Sequence, residues 1–350
     1  LTVFACATCG SALTVPLTQV PLPAHAGQHY SHELLGALME PGTYAVRPYP
    51  AGPPWRRWDE VGETEAAARG VYAPVYSLSD GPPGAVAVAP GDVRGTAFIP
   101  DRLDGYCYGV DGREGPNLAC ERCGTPVATR IDDCASWQAV WLEPQAIQLL
   151  PAASPPSPPL GWETLRRHRP ETPPVELDGS WDPRSEAAVG VALAHLLAAS
   201  GGACVTVPDG PVAAMFRRAL DFMCPPGPSA RTLVLGGPGL PAVTAAIALV
   251  PQHPQTGEHW AEPGAAAVVS LAWDVWAYLA FHRERRPVPG GGALRDEIHR
   301  DDPPPRLPNL MFQPDRDLFL FTLARLPEVG QLAVRAIYDR VNTRYGPLPF

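Results

Sequence analysis

Four cysteines of this 350-residue chain fall into two copies of one short word, Cys6-Ala7-Thr8-Cys9-Gly10 and Cys120-Glu121-Arg122-Cys123-Gly124. Two thiols separated by two residues can turn toward one metal ion, and the glycine that follows lets the backbone curl beneath the second sulfur. Together the words offer four thiolates, the closed tetrahedral shell of a structural zinc site. Cys6, Cys9, Cys120 and Cys123 are thus the expected ligands of one Zn2+ ion. The knuckles stand 110 residues apart, several times the usual spacing of a zinc ribbon. Two other readings remain open: unrelated thiol pairs, or a local set of Cys107, Cys120, Cys123 and Cys134. A redox role is disfavoured, because neither pair opens an evident helix whose N-terminus would lower a thiol pKa.

Other residues suggest chemistry less sharply. His25, His29 and His32, with Glu33, are spaced so that some could share a metal. A zincin helix would need His-Glu-x-x-His, and the segment from His32 to Gly36 lacks the second histidine. Polar residues at a helix start are the plainer explanation. Gly237-Pro238-Gly239 superficially fits a dinucleotide fingerprint, but two prolines stiffen the loop and remove amide donors. A plain strand-to-helix turn is expected there. Asp296, Glu297, His299, Asp301 and Asp302 read as a solvated charge run.

Composition excludes more than it proposes. The 27 basic residues are all arginine. Standard P-loop ATPases, protein kinases and pyridoxal-phosphate enzymes need a lysine, which arginine cannot replace as an amine nucleophile. The net charge of −9 is shared unevenly: −7 over residues 1–150 and −2 over 151–350. Such a balance repels phosphate backbones and disfavours a general nucleic-acid role. Paired thiols and the lack of a basic leader before Cys6 point to a reducing, cytoplasmic setting. The apolar run from Gly264 to Phe281 contains Asp274, so a buried strand followed by a buried helix is expected rather than a membrane span.

The run from Gly115 to Cys134, together with Met39-Glu40-Pro41-Gly42-Thr43-Tyr44, resembles uncharacterised zinc-ribbon-containing proteins of high-GC actinobacteria. The resemblance covers mainly the first 150 residues. Reading frames of this kind can travel on transposable elements. It implies no activity and supplies no catalytic residues.

Secondary structure read from the pattern divides the chain. Residues 1–150 read as β-rich, with strands at Val3–Ala5, Ala12–Val15, Tyr44–Arg47, Val71–Ser77, Ala85–Val88, Ala97–Ile99, Val127–Ile131 and Ala139–Leu142, and one short helix from Ser31. One ion would then tie the first strand of this domain to its last. Residues 151–174 carry eight prolines and read as an extended linker without helix or strand. Residues 175–350 read as α/β. A helix after Asp182 ends at Gly201-Gly202, and strand Ala203–Val207, a helix from Pro211 and strand Thr232–Leu235 follow. A helix over Ala242–Val250, strand Ala266–Ser270 and a helix over Ala272–Arg283 extend the layer. An irregular stretch at 284–309 precedes a C-terminal helix from Glu328, whose apolar face is Val329, Leu332, Ala333, Ala336, Ile337 and Val341.

The expected fold class is therefore α+β: a β-rich domain stapled by a four-cysteine zinc site, then an α/β domain. The leading functional expectation is a zinc-binding protein in a binding or accessory role, with a protein partner of unknown identity. The alternatives are an enzyme with its site at strand ends near Asp209, Gly237 and Asp274, and a nucleic-acid-associated zinc protein.

Overall fold

The computed structural model describes the chain apart from residues 31, 108, 152–156, 168–174, 176–178, 225–230, 282–307, 309 and 344–350. The acidic run at 296–302 lies outside the described residues, as does nearly all of the irregular stretch at 284–309. The chain divides into two compact units. One comprises Leu1–Arg69, Pro74–Pro159 and Pro254–Gly257; the other comprises Gly70–Ala73, Leu160–His253 and Glu258–Phe350.

The first unit runs through β1 (Thr2–Cys6), β2 (Thr18–Gln19), β3 (Thr43–Val46), β4 (Trp55–Arg57), α1 (Trp58–Val61), α2 (Glu63–Ala68) and β5 (Ser77–Ser79). It continues with β6 (Val86–Val88), β7 (Thr96–Phe98), β8 (Leu118–Cys120), β9 (Pro126–Ile131), β10 (Ala139–Leu142) and β11 (Ile147–Pro151). Seven strands form one sheet in the order β2-β3-β6-β10-β9-β8-β7, while β1 pairs antiparallel with β11 in a separate two-stranded sheet.

Side-chain alternation along the central strands feeds two cores. Val86, Val88, Val140 and Leu142 join Phe4, Cys6, Leu13, Leu17, Tyr44 and Cys120 on one face. Ala87, Ala89, Ala139 and Trp141 join Leu38, Met39 and Ala45 on the other. Phe4 of β1 meets Tyr44 of β3 edge to face, with ring centroids 5.0 Å apart, so an aromatic contact seats the small sheet on the large one.

Six expected strands lie within a residue or two of β1, β3, β6, β7, β9 and β10. Two others fail. Ala12–Val15 makes only isolated bridges, Ala5 to Ala12 and Thr14 to Val93. Val71–Ser77 contributes only Ser77 to β5. The helix expected from Ser31 is absent over residues 33–36, where the chain is irregular.

The first helix of the second unit is α3 (Trp162–Arg167), inside the segment expected to be a structureless linker. No proline interrupts these six residues, and Glu163 pairs with Arg166 at 2.8 Å and Arg167 at 3.4 Å along the helix. Trp162 meets His253, Trp260 and Trp273 at ring-centroid distances of 5.0–5.9 Å, which anchors the short helix by tertiary packing. There follow α4 (Pro183–Ser200), β12 (Val205–Thr206), α5 (Pro211–Met223), β13 (Arg231–Leu235), β14 (Ala245–Gln252), β15 (Ala265–Ala272), α6 (Trp273–Phe281), α7 (Arg316–Leu323) and α8 (Leu332–Asn342). Asp182 caps α4 by accepting the Arg184 N–H at 2.8 Å, and Gly201 closes the helix in a left-handed conformation.

Strands β12-β13-β14-β15 form a parallel sheet in chain order. The helix expected over Ala242–Val250 is instead β14. It lies between β13 and β15 with Ile247 through Val250 fully buried, the usual setting of a continuous apolar strand. The run from Gly264 to Phe281 is β15 followed by α6, as expected. Among the described residues no helix is long and apolar enough to cross a membrane. The C-terminal helix starts later than expected, at Leu332, which is 90% exposed. Its buried face is Val334, Ile337, Tyr338 and Val341, while Ala333 and Ala336 face outward and Val329 is buried in the preceding 3-10 turn.

Candidate metal centre

Cys6 ends β1 and Cys120 ends β8, so the first thiol of each knuckle is delivered by a strand already packed in the core. Both side chains are essentially inaccessible, whereas Cys9 is half-buried and Cys123 exposed. The two turns repeat each other bond for bond. Gly10 N–H donates to the Cys6 carbonyl at 2.9 Å, and Gly124 N–H to the Cys120 carbonyl at 2.8 Å. Cys6 N–H donates to the Ser11 carbonyl and Cys120 N–H to the Thr125 carbonyl, each at 2.9 Å. Gly10 and Gly124 have φ of +73° and +74°. An L-residue there carries a cost of about 1–2 kcal/mol, and a Cβ on Gly124 would meet no heavy atom within 4 Å. Gly124→Ala is therefore expected to lower stability by about that amount through backbone strain alone, read from a urea titration; an unchanged midpoint would show that the turn relaxes.

The four sulfurs lie within 4.8 Å of one another. Cys6 Sγ is 3.6 Å from Cys123 Sγ, and Cys9 Sγ is 3.6 Å from Cys120 Sγ. Tetrahedral zinc with Zn–S bonds of about 2.3 Å has S···S edges of about 3.8 Å. The donor chemistry and the spacing both fit a metal ion, and the set Cys6, Cys9, Cys120 and Cys123 is positioned to hold one.

The residue after each glycine completes the turn and was not singled out from the sequence. Ser11 Oγ lies 3.4 Å from Cys9 Sγ, and Thr125 Oγ1 lies 3.3 Å from Cys123 Sγ. Thr125 Oγ1 also bonds Thr8 Oγ1 at 3.2 Å, joining one knuckle to the other. The repeated unit is thus Cys-x-x-Cys-Gly followed by a hydroxyl residue, a signal that aligning the two words would have shown. Hydrogen bonding to Ser11 holds the Cys9 thiol down to about 6, and Thr125 lowers that of Cys123 in the same way. Burial pushes the Cys120 thiol up to about 11. Cys9 therefore ionises readily, whereas Cys120 stays protonated until a cation offsets its desolvation.

The local alternative set is split by the fold. Cys107 and Cys134 do not join Cys120 and Cys123; they gather with His32 in a separate group. Of the histidines considered together, only His32 reaches thiols. His25 packs tilted against Trp137 with centroids 4.4 Å apart, and the backbone of His29 bridges Ser136.

The residues considered for an enzyme site do follow the ends of parallel strands, Asp209 after β12, Gly237 after β13 and Asp274 after β15. Asp209 is exposed and pairs with Arg217 at 2.6 Å. A Cβ on Gly237 would fall 2.2 Å from the Trp276 ring, and Trp276 Nε1 donates to the Gly236 carbonyl at 3.0 Å. Glycine is needed there to admit an indole, and the loop leads to a strand rather than to the helix of a dinucleotide cradle. Asp274, in the first turn of α6, keeps part of its surface exposed, yet burial of the carboxylate raises its pKa. A raised folded pKa gives stability at low pH that is lost as pH climbs from the unfolded value, about 3.9, through the folded one. Asp274→Asn should raise the urea midpoint at pH 7 and leave it unchanged near pH 3. A lower midpoint at pH 7 would mean that the charge is favourably engaged.

No protein-family model, curated protein or solved structure matches the chain. The geometry of its thiol groups alone carries the functional reading.

Proposed function

We propose that Cys6, Cys9, Cys120 and Cys123 hold one structural Zn2+ ion and that the protein acts in a binding or accessory role built on that staple. One observation carries the metal reading: two turns with the same hydrogen-bond pattern bring four sulfurs within 4.8 Å of one another, with two pairs at 3.6 Å. Zinc suits a closed all-thiolate shell, with no position left for substrate. The ion would fasten the β1–β11 pair to the seven-stranded sheet through β8. Support for a binding role comes from the exposed aromatic side chains of the first unit, Trp55, Tyr76 and Tyr106, the last 87% exposed. Aromatic residues of this kind are enriched where proteins meet.

Elemental analysis of the purified protein tests the metal assignment. Zinc that is lost together with the thiols of Cys6 or Cys120 supports it. Protein that carries no zinc after expression in zinc-replete medium overturns it.

A further inference from the structure

His32 Nδ1 lies 3.7 Å from Cys107 Sγ and 3.8 Å from Cys134 Sγ, and the two sulfurs are 2.7 Å apart. None of the knuckle cysteines belongs to this group. We propose that His32, Cys107 and Cys134 form a second metal site, for a borderline-soft divalent ion of the zinc class, with its fourth position open to solvent.

The equal reach of the imidazole carries the argument. In a tetrahedral site with Zn–N near 2.0–2.1 Å and Zn–S near 2.3 Å, the N···S edge is about 3.6 Å. Both observed N···S distances sit close to that value. The two sulfurs are nearer than the about 3.8 Å edge of such a site. Seating the ion parts them by roughly 1 Å, a side-chain rotation open to the exposed Cys107. Both cysteines are free, and an imidazole nitrogen held equally close to both sulfurs stands where a third metal ligand would.

The scaffold holds the three donors independently of any ion. The carboxylate of Asp133, only 4% exposed, ties both cysteine segments together. Its Oδ2 accepts the N–H of Tyr106 at 2.6 Å and of Cys107 at 3.1 Å, and its Oδ1 accepts that of Cys134 at 2.8 Å. The His32 segment is pinned to the same turn on either side of the histidine. Tyr30 N–H donates to the Ala135 carbonyl at 2.9 Å, and Ala135 N–H to the Glu33 carbonyl at 3.1 Å. Among the described residues, only His32 and Ala135 combine positive φ with a side chain, at +44° and +65°. Unfavourable backbone is thus concentrated where the donors converge.

His32 and Cys107 are exposed and Cys134 is half-buried. Two thiolates, one imidazole and an open fourth position leave a bound ion free to take a small anion or a thiolate from solution, unlike the closed shell of the knuckles.

The test uses the full chain, purified with reductant, loaded with Co2+ and desalted. Expected are two ions per chain in the wild type and one in both His32→Asn and Cys107→Ser/Cys134→Ser. Asparagine tolerates the left-handed backbone at position 32, so the first variant removes a ligand without straining the loop. Azide is expected to shift the visible Co2+ spectrum of the wild type and not that of His32→Asn. A wild type that holds only one ion, and loses it in His32→Asn, would support this site and count against the four-thiolate reading of the knuckles. Metal content unchanged in both variants, or a Cys107–Cys134 disulfide recovered despite reductant, would overturn the proposal.

Discussion

Cys120→Ser is expected to release the metal ion proposed for the knuckles and to abolish the cooperative unfolding transition of the first unit. Binding free energy at a structural zinc site is folding free energy, about 10–16 kcal/mol in small zinc modules at neutral pH. Net stabilities of whole domains are about 5–15 kcal/mol. Losing most of the former erases the latter. The span that is tied adds to the effect. In the chain-entropy account of a disulfide, closing a loop of about 100 residues is worth about 4.7 kcal/mol, and 110 residues separate Cys9 from Cys120. Serine at 120 also leaves a hydroxyl in a core built for sulfur, beside Leu118 and Val127. Zinc content and near-UV circular dichroism through a thermal ramp provide the readout. Cys204→Ser, in the other unit, should keep both the zinc and the transition. Full zinc occupancy and an unaltered midpoint in Cys120→Ser would sink the four-cysteine assignment.

Trp276→Ala is expected to cost about 3–5 kcal/mol, the range for truncating a large buried aromatic side chain. Trp276 has no exposed surface. Its ring packs edge to face on Phe281 at 5.5 Å and tilted on Trp273 at 5.4 Å, and it fills the space left by the missing side chain of Gly237. Truncation therefore opens a cavity on several sides and leaves the Gly236 carbonyl without its indole donor, itself a cost of about 1–3 kcal/mol when buried. Trp276→Phe keeps much of the ring volume but not the N–H, so it should fall between alanine and wild type. Urea titrations of the three proteins provide the comparison. Equal midpoints would mean that the indole is not a keystone of the parallel sheet.

The knuckles were legible because their message is local: two ligands and the glycine each needs lie within five residues. His32 was not legible as a partner of Cys107 and Cys134, since they lie 75 and 102 positions further along the chain and only the fold brings them together. The misread helix over Ala242–Val250 has another cause. Ala245-Ala246-Ile247-Ala248-Leu249-Val250 is apolar on every side, and burial on both faces removes the alternation that marks a strand. In α3 the six residues after Gly161 form a helix because Trp162 finds three aromatic neighbours, a reward that proline counting cannot reveal. The expected apolar face of α8 holds for Ile337 and Val341 and fails for Leu332, Ala333 and Ala336, which fit helical spacing as well as Val334 and Tyr338 do; only contact with a neighbour selects between them.

A metal ion gripped by two sulfurs sealed inside and two facing water would be released in one order. Chelators and oxidants reach Cys123 first and Cys9 next, and Cys6 and Cys120 yield only when β1 and β8 loosen. Escape of an ion held there would be geared to the fraying of two strands, so its lifetime would report how often β1 and β8 open.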